Sequence, residues 1–173
     1  MSLIPSIESI YHVGHVVADA RGAAERWART AGVGPFFLFE DFEFVEPVYR
    51  GQRLGPKVTL AFGFSGDFCL ELIEQQDDVD SIYREAPPGP HHVGIMAADV
   101  EGRIATFRVQ GIDVVFRGGF SFGGECAYLD TRASLGCLLE IVSRHPVLEE
   151  MVGTMRAAHA SWDRRDVFAS LGP

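Results

Sequence analysis

The chain has 173 residues, of which 47% are hydrophobic and 23% are charged, and this is the composition of a globular protein rather than a disordered one. Its formal net charge of −9 would repel a phosphate backbone, so nucleic acid is excluded as an expected partner. The length indicates one domain, or two small half-domains that share a core, and such a chain needs no disulfide bonds for stability.

The cysteines and the N-terminal residues indicate a protein of the reducing cytoplasm. Cys69, Cys126 and Cys137 are an odd number and form no CxxC pair, which argues against a disulfide framework and a cysteine-based zinc site. Residues 1–9 lack the basic and apolar regions of a signal peptide, and no apolar run reaches the roughly 18 residues of a membrane span. We therefore expect a cytoplasmic protein without membrane contacts.

An internal repeat organises the chain. Residues 11–22 align with residues 91–102 at an offset of 80, and six of the eleven positions from His12 onward are identical. Self-similarity of this kind predicts two copies of one supersecondary unit.

Each copy is predicted to fold as β-α-β-β-β. An apolar strand leads to an aspartate, Asp19 or Asp99, in the N-cap position of a helix that ends near Gly32 or Gly111. Three strands follow the helix in each copy. The predicted strands are 10–17, 35–44, 57–63 and 67–74 in the first copy, and 92–97, 113–116, 125–130 and 137–143 in the second.

The fold class is therefore α+β. We predict a first module at 8–84, a linker rich in Pro and Gly at 85–90, a second module at 91–145 and a C-terminal amphipathic helix at 146–170. The helical periodicity itself covers about 15 residues, and we expect this helix to pack on the core, to lie at a dimer interface or to form a lid over a pocket.

Strand alternation selects a set of polar residues. Because side chains alternate between the two faces of a strand, His12 and His92 lie on one face of the first strand of each copy. In the last strand of each copy, apolar residues are expected to pack on the helix, which leaves Glu71 and Glu140 on the opposite face. The helix-packing residues are Phe68, Leu70 and Leu72 in the first copy, and Leu139 and Ile141 in the second.

A carboxylate in an apolar strand is costly to bury unless it is paired or bound to a cation. Two imidazoles and two carboxylates related by a pseudo-two-fold axis would form a site with open positions for water or substrate. The sequence thus predicts one divalent metal ion per chain, held by His12, Glu71, His92 and Glu140. Zn, Ni, Co, Mn, Fe and Mg all suit such ligands.

The repeated motifs resemble those of the glyoxalase I, bleomycin-resistance and extradiol-dioxygenase superfamily, also called vicinal oxygen chelate. The patterns Tyr-His-Val-Gly, Leu-Glu-Leu-Ile-Glu, Gly-Pro-His-His-Val-Gly-Ile and Gly-Cys-Leu-Leu-Glu-Ile-Val, within residues 8–145, are most similar to the branch of methylmalonyl-CoA epimerase and glyoxalase I. The resemblance implies two tandem βαβββ modules in an open, cupped, eight-stranded mixed sheet. It also places the family's four metal ligands on the same four residues.

The resemblance implies a divalent-metal-dependent lyase or isomerase of the glyoxalase type, which is expected to form a homodimer. In that chemistry the metal chelates adjacent oxygens of a small or thioester substrate and stabilises an enolate or enediolate, while Glu71 or Glu140 transfers a proton. Two alternatives remain open: a metal-free small-molecule binding protein like the bleomycin-resistance proteins, and an iron-dependent extradiol-type dioxygenase. Glu71 argues against the dioxygenase, because the resemblance implies a histidine at this position in extradiol dioxygenases.

One position departs from the epimerase pattern. The base that epimerases carry on the third strand of the first copy aligns with Thr59 or its neighbours, where this chain has no carboxylate. Either Glu71 or Glu140 acts as the base, or Glu43 or Glu46 reaches in from the preceding segment, or the reaction is a different one.

Aromatic residues from both copies are expected to line a pocket for an apolar or aromatic substrate. The candidate substrate-binding residues are Phe37, Phe39, Thr59, Phe120, Phe122 and Tyr128. Glutathione or CoA would need basic contacts, for which the candidates are Arg50, Arg53, Lys57, Arg117 and Arg132.

Overall fold

The structure is a computed structural model that describes residues 9–85 and 87–172. These residues form one mixed sheet of ten strands with helices on both faces. The strands are β1 Ile10–Val16, β2 Phe36–Glu43, β3 Val45–Tyr49, β4 Lys57–Ser65, β5 Phe68–Gln75, β6 Gly89–Ala97, β7 Val114–Gly119, β8 Glu125–Leu129, β9 Leu138–Ser143 and β10 Phe168–Ala169. The helices are α1 Ala20–Ala31, α2 Val100–Arg108, α3 Arg132–Leu135 and α4 Pro146–Ala160, with a 3-10 turn at Ile82–Arg84.

The strand order is β10-β2-β4-β5-β1-β6-β9-β8-β7-β3. The predicted α+β class and the two β-α-β-β-β units are confirmed, and all eight predicted strands are present. The sheet has ten strands rather than eight, because β3 extends the far edge of the second unit and β10 extends the edge of the first. β3 contains Pro47, which an edge strand tolerates because one side of its backbone needs no hydrogen-bond donor.

The two units join within one chain through the antiparallel pair of β1 and β6. On either side of this seam, β1 pairs with β5 and β6 pairs with β9, both in parallel. The four central strands are therefore the first and last strands of the two units, and they are the strands on which the predicted metal ligands lie.

Helices α1 and α2 begin where the sequence predicts. Asp19 accepts a hydrogen bond from Gly22 N at 3.0 Å and Asp99 accepts one from Gly102 N at 2.8 Å, so each aspartate satisfies an otherwise free amide of the first turn. α1 ends at Gly32 in the left-handed conformation, as predicted, whereas α2 ends at Arg108, before the predicted Gly111. The intervening residues form a turn instead of a further helical turn.

Both helices pack on the face of the sheet that the sequence assigns to them. Leu70 and Leu72 are fully buried in a cluster with α1, and Leu139 and Ile141 are buried in a cluster with α2. Phe68 is an exception, because it stands at the start of β5 with 45% of its surface exposed and does not pack on a helix.

The C-terminal segment lies on the opposite face. α4 has the 15 residues that the periodicity predicts, but it ends at Ala160, so the predicted helical range 146–170 is wrong beyond that residue. The chain then turns and forms β10 beside β2. β6 begins at Gly89, inside the predicted linker, while residue 8 of the first module and Ala86 of the linker lie outside the described residues. Within the described part of the chain, no helix is both long and apolar enough to cross a membrane.

Candidate metal centre

Four side chains from the four central strands meet on the sheet face opposite α1 and α2. They are His12 on β1, Glu71 on β5, His92 on β6 and Glu140 on β9, and all four are buried. One possible ligand atom from each residue lies within 4.8 Å of the others. His12 Nε2 is 2.9 Å from both His92 Nε2 and Glu140 Oε2, and His92 Nε2 is 3.0 Å from Glu71 Oε2. The structure thus brings together the set that strand alternation selects.

The register of the β1 and β6 pair explains how both imidazoles fit. Gly14 lies opposite His92, and Gly94 lies opposite His12. A Cβ atom on Gly14 would stand 1.9 Å from His92 Cε1, and one on Gly94 would stand 1.9 Å from His12 Cε1. Each imidazole therefore occupies the space that a side chain on the opposing strand would fill, and glycine is required at both positions.

The chemistry of the cluster fits a divalent cation. Two carboxylates buried side by side repel each other unless positive charge lies between them. Within the described residues, Glu71 Oε2 is buried without a hydrogen-bond partner, although it is 3.0 Å from His92 Nε2. A cation bound by two imidazole nitrogens and two carboxylate oxygens would satisfy this atom and leave further coordination positions open.

The four groups strongly perturb one another. Burial disfavours the charged form of His12, but its contacts with Glu140 and Glu71 outweigh burial and raise the pKa of His12 to about 9. The same opposing causes raise the pKa of His92. Burial favours the neutral carboxyl groups, yet the contacts with the two histidines hold the pKa of Glu71 and of Glu140 below its usual value. Positive charge is thus favoured at this point of the structure.

His91 fixes the orientation of His92. Its Nε2 is 3.1 Å from the carbonyl oxygen of Ile82, which can only accept, so Nε2 carries the proton and Nδ1 of His91 is an acceptor. The Nδ1 atoms of His91 and His92 are 3.0 Å apart, so His92 Nδ1 donates to His91. Burial and then the neighbouring His92 lower the pKa of His91 to about 4, which keeps this ring neutral near neutral pH. His92 is left with Nε2 facing the cluster, as a metal-binding histidine requires.

A cavity of about 360 Å³ reaches the cluster and is lined in part by His12, Glu71 and Glu140. Its walls are mostly apolar. Six phenylalanines line it, namely Phe39, Phe42, Phe44, Phe62, Phe120 and Phe122. α4 contributes four more residues, Leu148, Met151, Val152 and Met155. This arrangement keeps water away from the ligands and accepts a molecule of small-ligand size.

The structure separates the predicted substrate-binding residues into two groups. Phe39, Phe120, Phe122 and Tyr128 line the cavity. Phe37 lies outside the lining, because it packs beneath α4 in a cluster with Cys69, Phe64 and Met155. Thr59 also lies outside it, on the opposite face of β4 from Leu60 and Phe62, and accepts a hydrogen bond from Gln76 Nε2 at 2.7 Å.

Several lining residues are not predicted by strand alternation. Tyr11 has the wrong parity, but a register irregularity between Ile10 and His12 in the β1 and β6 pair turns it into the cavity. Tyr83 comes from the 3-10 turn, and its hydroxyl lies 3.2 Å from that of Tyr128. Burial raises the pKa of all three tyrosines well above the usual value, so their hydroxyls stay protonated. The repeat offset, which pairs Tyr11 with His91 beside the two histidine ligands, was the available signal for the first of them.

The architecture defines a class: two β-α-β-β-β units joined in one sheet, with a His and a Glu from each unit converging at a buried site that could bind a metal. A family model described as "Glyoxalase/Bleomycin resistance protein/Dioxygenase superfamily" matches residues 11–128. The chain belongs to this superfamily.

Solved structures agree with this assignment. The chain is similar to a hypothetical protein from Bacillus halodurans C-125, with 19% identity, a TM-score of 0.58, and coverage of 79% of this chain and 94% of the other. It is similar to methylmalonyl-CoA epimerase from Mycobacterium tuberculosis, with 18% identity, a TM-score of 0.58, and coverage of 86% and 96%. A variant of the Streptomyces coelicolor epimerase in complex with 2-nitronate-propionyl-CoA is 25% identical, with a TM-score of 0.52 and coverage of 82% and 98%. A comparison with curated proteins gives no match.

Proposed function

We propose that this protein is a divalent-metal-dependent enzyme of the lyase or isomerase type, which transfers a proton at a carbon next to a chelated substrate oxygen. The observation that carries the proposal is the convergence of four buried ligand atoms, two from histidines and two from glutamates, within 4.8 Å of one another beside a mostly apolar cavity. A bound divalent ion would act as a Lewis acid on adjacent substrate oxygens and stabilise the negative charge that develops when the neighbouring C–H bond breaks.

The proton is assigned to one of the two glutamates of the cluster. In the described part of the chain, Glu71 and Glu140 are the only carboxylates that line the cavity. Glu43 and Glu46 are exposed, and Glu46 pairs with Arg53 at 2.7 Å. Neither of them lines the cavity, and Thr59 has no acid-base capacity.

Either glutamate can act as the base, because the two stand in nearly equivalent positions. Glu71 Oε2 lies 3.0 Å from His92 Nε2, and Glu140 Oε2 lies 2.9 Å from His12 Nε2. The glutamate that takes up the substrate proton also returns it, while the other three residues of the cluster keep their place.

The surrounding residues provide orientation and a dry environment. Tyr128 lies edge-on to His92, with ring centroids 5.1 Å apart, and contacts the Tyr83 hydroxyl, so its own hydroxyl is positioned to donate to a substrate oxygen. The phenylalanine walls exclude water, which strengthens every electrostatic interaction at the site. The similarity to epimerases, which are isomerases, supports the same kind of reaction.

Metal analysis by plasma mass spectrometry tests the proposal, on protein purified without a metal-affinity step. We expect about one divalent ion per chain in the wild type and a loss of most of it in Glu140→Ala. The matched control is Glu43→Ala, which removes an exposed glutamate from β2 and should keep the metal.

The opposite result is a wild type without metal whose melting temperature is unchanged by Zn, Ni, Co, Mn, Fe or Mg. That result would overturn the enzyme proposal in favour of a metal-free binding protein. Oxygen consumption with a catechol in the iron-loaded protein would instead support a dioxygenase.

A further inference from the structure

Apart from the four-residue cluster at one side, the cavity has no lysine or arginine among the described residues that would neutralise an anionic substrate. Its polar lining consists of His12, Glu71, Glu140, three tyrosines, Ser121 and Cys69, and within residues 9–85 and 87–172 no lysine or arginine lines it. Apart from His12, the two glutamates carry the only charges of the described lining. Away from the cluster, a phosphate or carboxylate inside such a space would lose its hydration without gaining a charged partner.

The basic residues that would be needed for CoA or glutathione are engaged elsewhere. Arg50 and Arg132 both pair with Glu85, at 2.8 and 2.7 Å. Arg53 pairs with Glu46 at 2.7 Å. All of these pairs lie outside the cavity lining.

The remaining two candidates are occupied in the same way. Lys57 pairs with Asp41 at 2.7 Å, and Arg117 pairs with Glu125 at 2.6 Å and also contacts Glu101. None of the five cations is therefore available to bind the phosphates of CoA or the carboxylates of glutathione without first breaking an ion pair.

The wall that faces the sheet is built from a segment beyond the family-model match. That match ends at residue 128, whereas α4 starts at Pro146. α4 presents Met151 and Val152 to the cavity, and its C-terminal end is fixed because His159 contacts Gly34 O and accepts from Gly66 N at 3.0 Å. The apolar wall is thus an attached part of the fold, and methionine side chains adapt to apolar ligands of varied shape.

The aromatic rings offer flat surfaces on two sides. Phe120 and Phe122 are stacked, with centroids 5.2 Å apart and an interplanar angle of 23°. Phe39 meets Phe62 edge-on at 5.8 Å. Rings in these arrangements suit a planar or cyclic apolar group.

From these observations we infer that the substrate is an uncharged, predominantly apolar molecule, with a ring or other bulky apolar group against the phenylalanines and α4 and two adjacent oxygens at the end that reaches the four ligands. We expect thioesters of CoA and conjugates of glutathione to bind less tightly than such a molecule. This inference rests on the proposed function for the role of the adjacent oxygens.

Binding of three probes by calorimetry tests the inference on the protein as purified. The probes are 1-phenylpropane-1,2-dione, which is uncharged and carries adjacent oxygens, methylmalonyl-CoA and S-lactoylglutathione. We expect the dione to bind at least about tenfold more tightly than either anionic probe. Exchange of its methyl protons for deuterium in D2O, followed by NMR, reports the proton transfer itself: one C–H bond breaks, a carboxylate takes the proton, and a C–D bond forms.

Substitutions in α4 test whether the dione binds in the cavity that this helix lines. Met151→Lys places a charge in the cavity and should weaken dione binding at least about tenfold, whereas Thr154→Lys places the same charge on the exposed side of the helix and should leave it unchanged. Val152→Phe narrows the cavity without burying a charge, and it should also weaken binding if Met151→Lys proves unstable by circular dichroism.

The inference is overturned if either anionic probe binds more tightly than the dione, or if Met151→Lys and Val152→Phe both bind the dione like the wild type. Failure of the proposed function gives a different pattern, which is absence of metal and of deuterium exchange. Binding of the three probes and of the α4 variants can also be measured on the metal-free protein. Failure of the inference is therefore distinguishable from failure of the proposed function.

Discussion

The two halves of the molecule supply chemically identical candidate metal ligands, one His and one Glu each, in different surroundings. His92 in the second half is held by His91, whose other nitrogen donates to Ile82 O. At the equivalent place in the first half stands Tyr11, and His12 Nδ1 is buried without a hydrogen-bond partner among the described residues. The two halves thus share the histidines, the glutamates and the glycines that make room for the imidazoles. They differ in the hydrogen bonding at the Nδ1 atom of each histidine. His92 is the rigid ligand of the pair, and His12 is held mainly by packing.

The largest effect is expected at the two glycines. Gly14→Ala and Gly94→Ala each place a methyl group within 1.9 Å of an imidazole carbon, so the ring must move away from the cluster. We expect each variant to lose metal at least about 100-fold in affinity and to be destabilised by about 1–3 kcal/mol. Gly14→Ala should be the more destabilising, because it displaces the ring that His91 holds.

Chelator competition and urea unfolding measure both quantities. Gly153→Ala is the matched control, because a Cβ there meets no atom within 4 Å and alanine favours the helix. Equal loss of stability in Gly14→Ala and Gly94→Ala would contradict the proposed difference in rigidity between the two histidines.

The support behind the ligands gives the next effect. His91→Phe removes the acceptor for His92 Nδ1 and should weaken metal binding about 10- to 100-fold, whereas Tyr11→Phe removes only a hydroxyl and should change it less than about threefold. His91→Asn, whose side-chain oxygen can accept at a similar place, should restore part of the affinity. Similar losses in His91→Phe and Tyr11→Phe, or no rescue by His91→Asn, would show that the two halves hold their ligands alike.

The smallest effect concerns Glu85 and the edge strand β3, which belongs to the first half but pairs with β7 of the second. Glu85 accepts from Tyr49 Oη at 2.6 Å and pairs with Arg50 and Arg132, so it connects β3 and the adjoining turn to α3. Burial would raise the pKa of Glu85, but the hydrogen bonds from Tyr49, Arg50 and Arg132 outweigh it and lower the pKa below the usual value of about 4.3. The stabilisation is complete above that usual value and is lost as the pH falls through the folded-state pKa.

Glu85→Gln should therefore reduce the free energy of unfolding by about 1 kcal/mol at neutral pH, since the arginines are partly exposed, and by almost nothing in strong acid. Urea unfolding as a function of pH measures the difference. Glu40→Gln, which breaks an exposed pair with Arg21, should show almost no change at any pH. A constant difference between Glu85→Gln and the wild type at all pH values would contradict the ionic origin of the effect.

The four residues of the candidate metal centre were predictable because strand alternation is a local rule. Glu71 lies between Leu70 and Leu72, so burying the leucines under α1 forces the carboxylate to the other face, and the same holds for Glu140. Sequence could not predict that Tyr11 enters the cavity, because one irregularity of register reverses the direction of a side chain. It could not separate Phe37 from Phe39 either, because both lie on the same face and only the position of α4 covers one of them.

By itself, the sequence determined the two repeated units, their helix starts, the 15-residue length of α4 and the four residues of the candidate metal centre. These features follow from periodicity, capping and charge burial, which act over a few residues. The tertiary structure alone decided that β3 and β10 extend opposite edges of the sheet, that His91 supports His92, and that α4 forms one wall of the cavity. These features depend on which segments, far apart in the chain, come to lie side by side. A pattern that extends over a few residues does not predict such pairings.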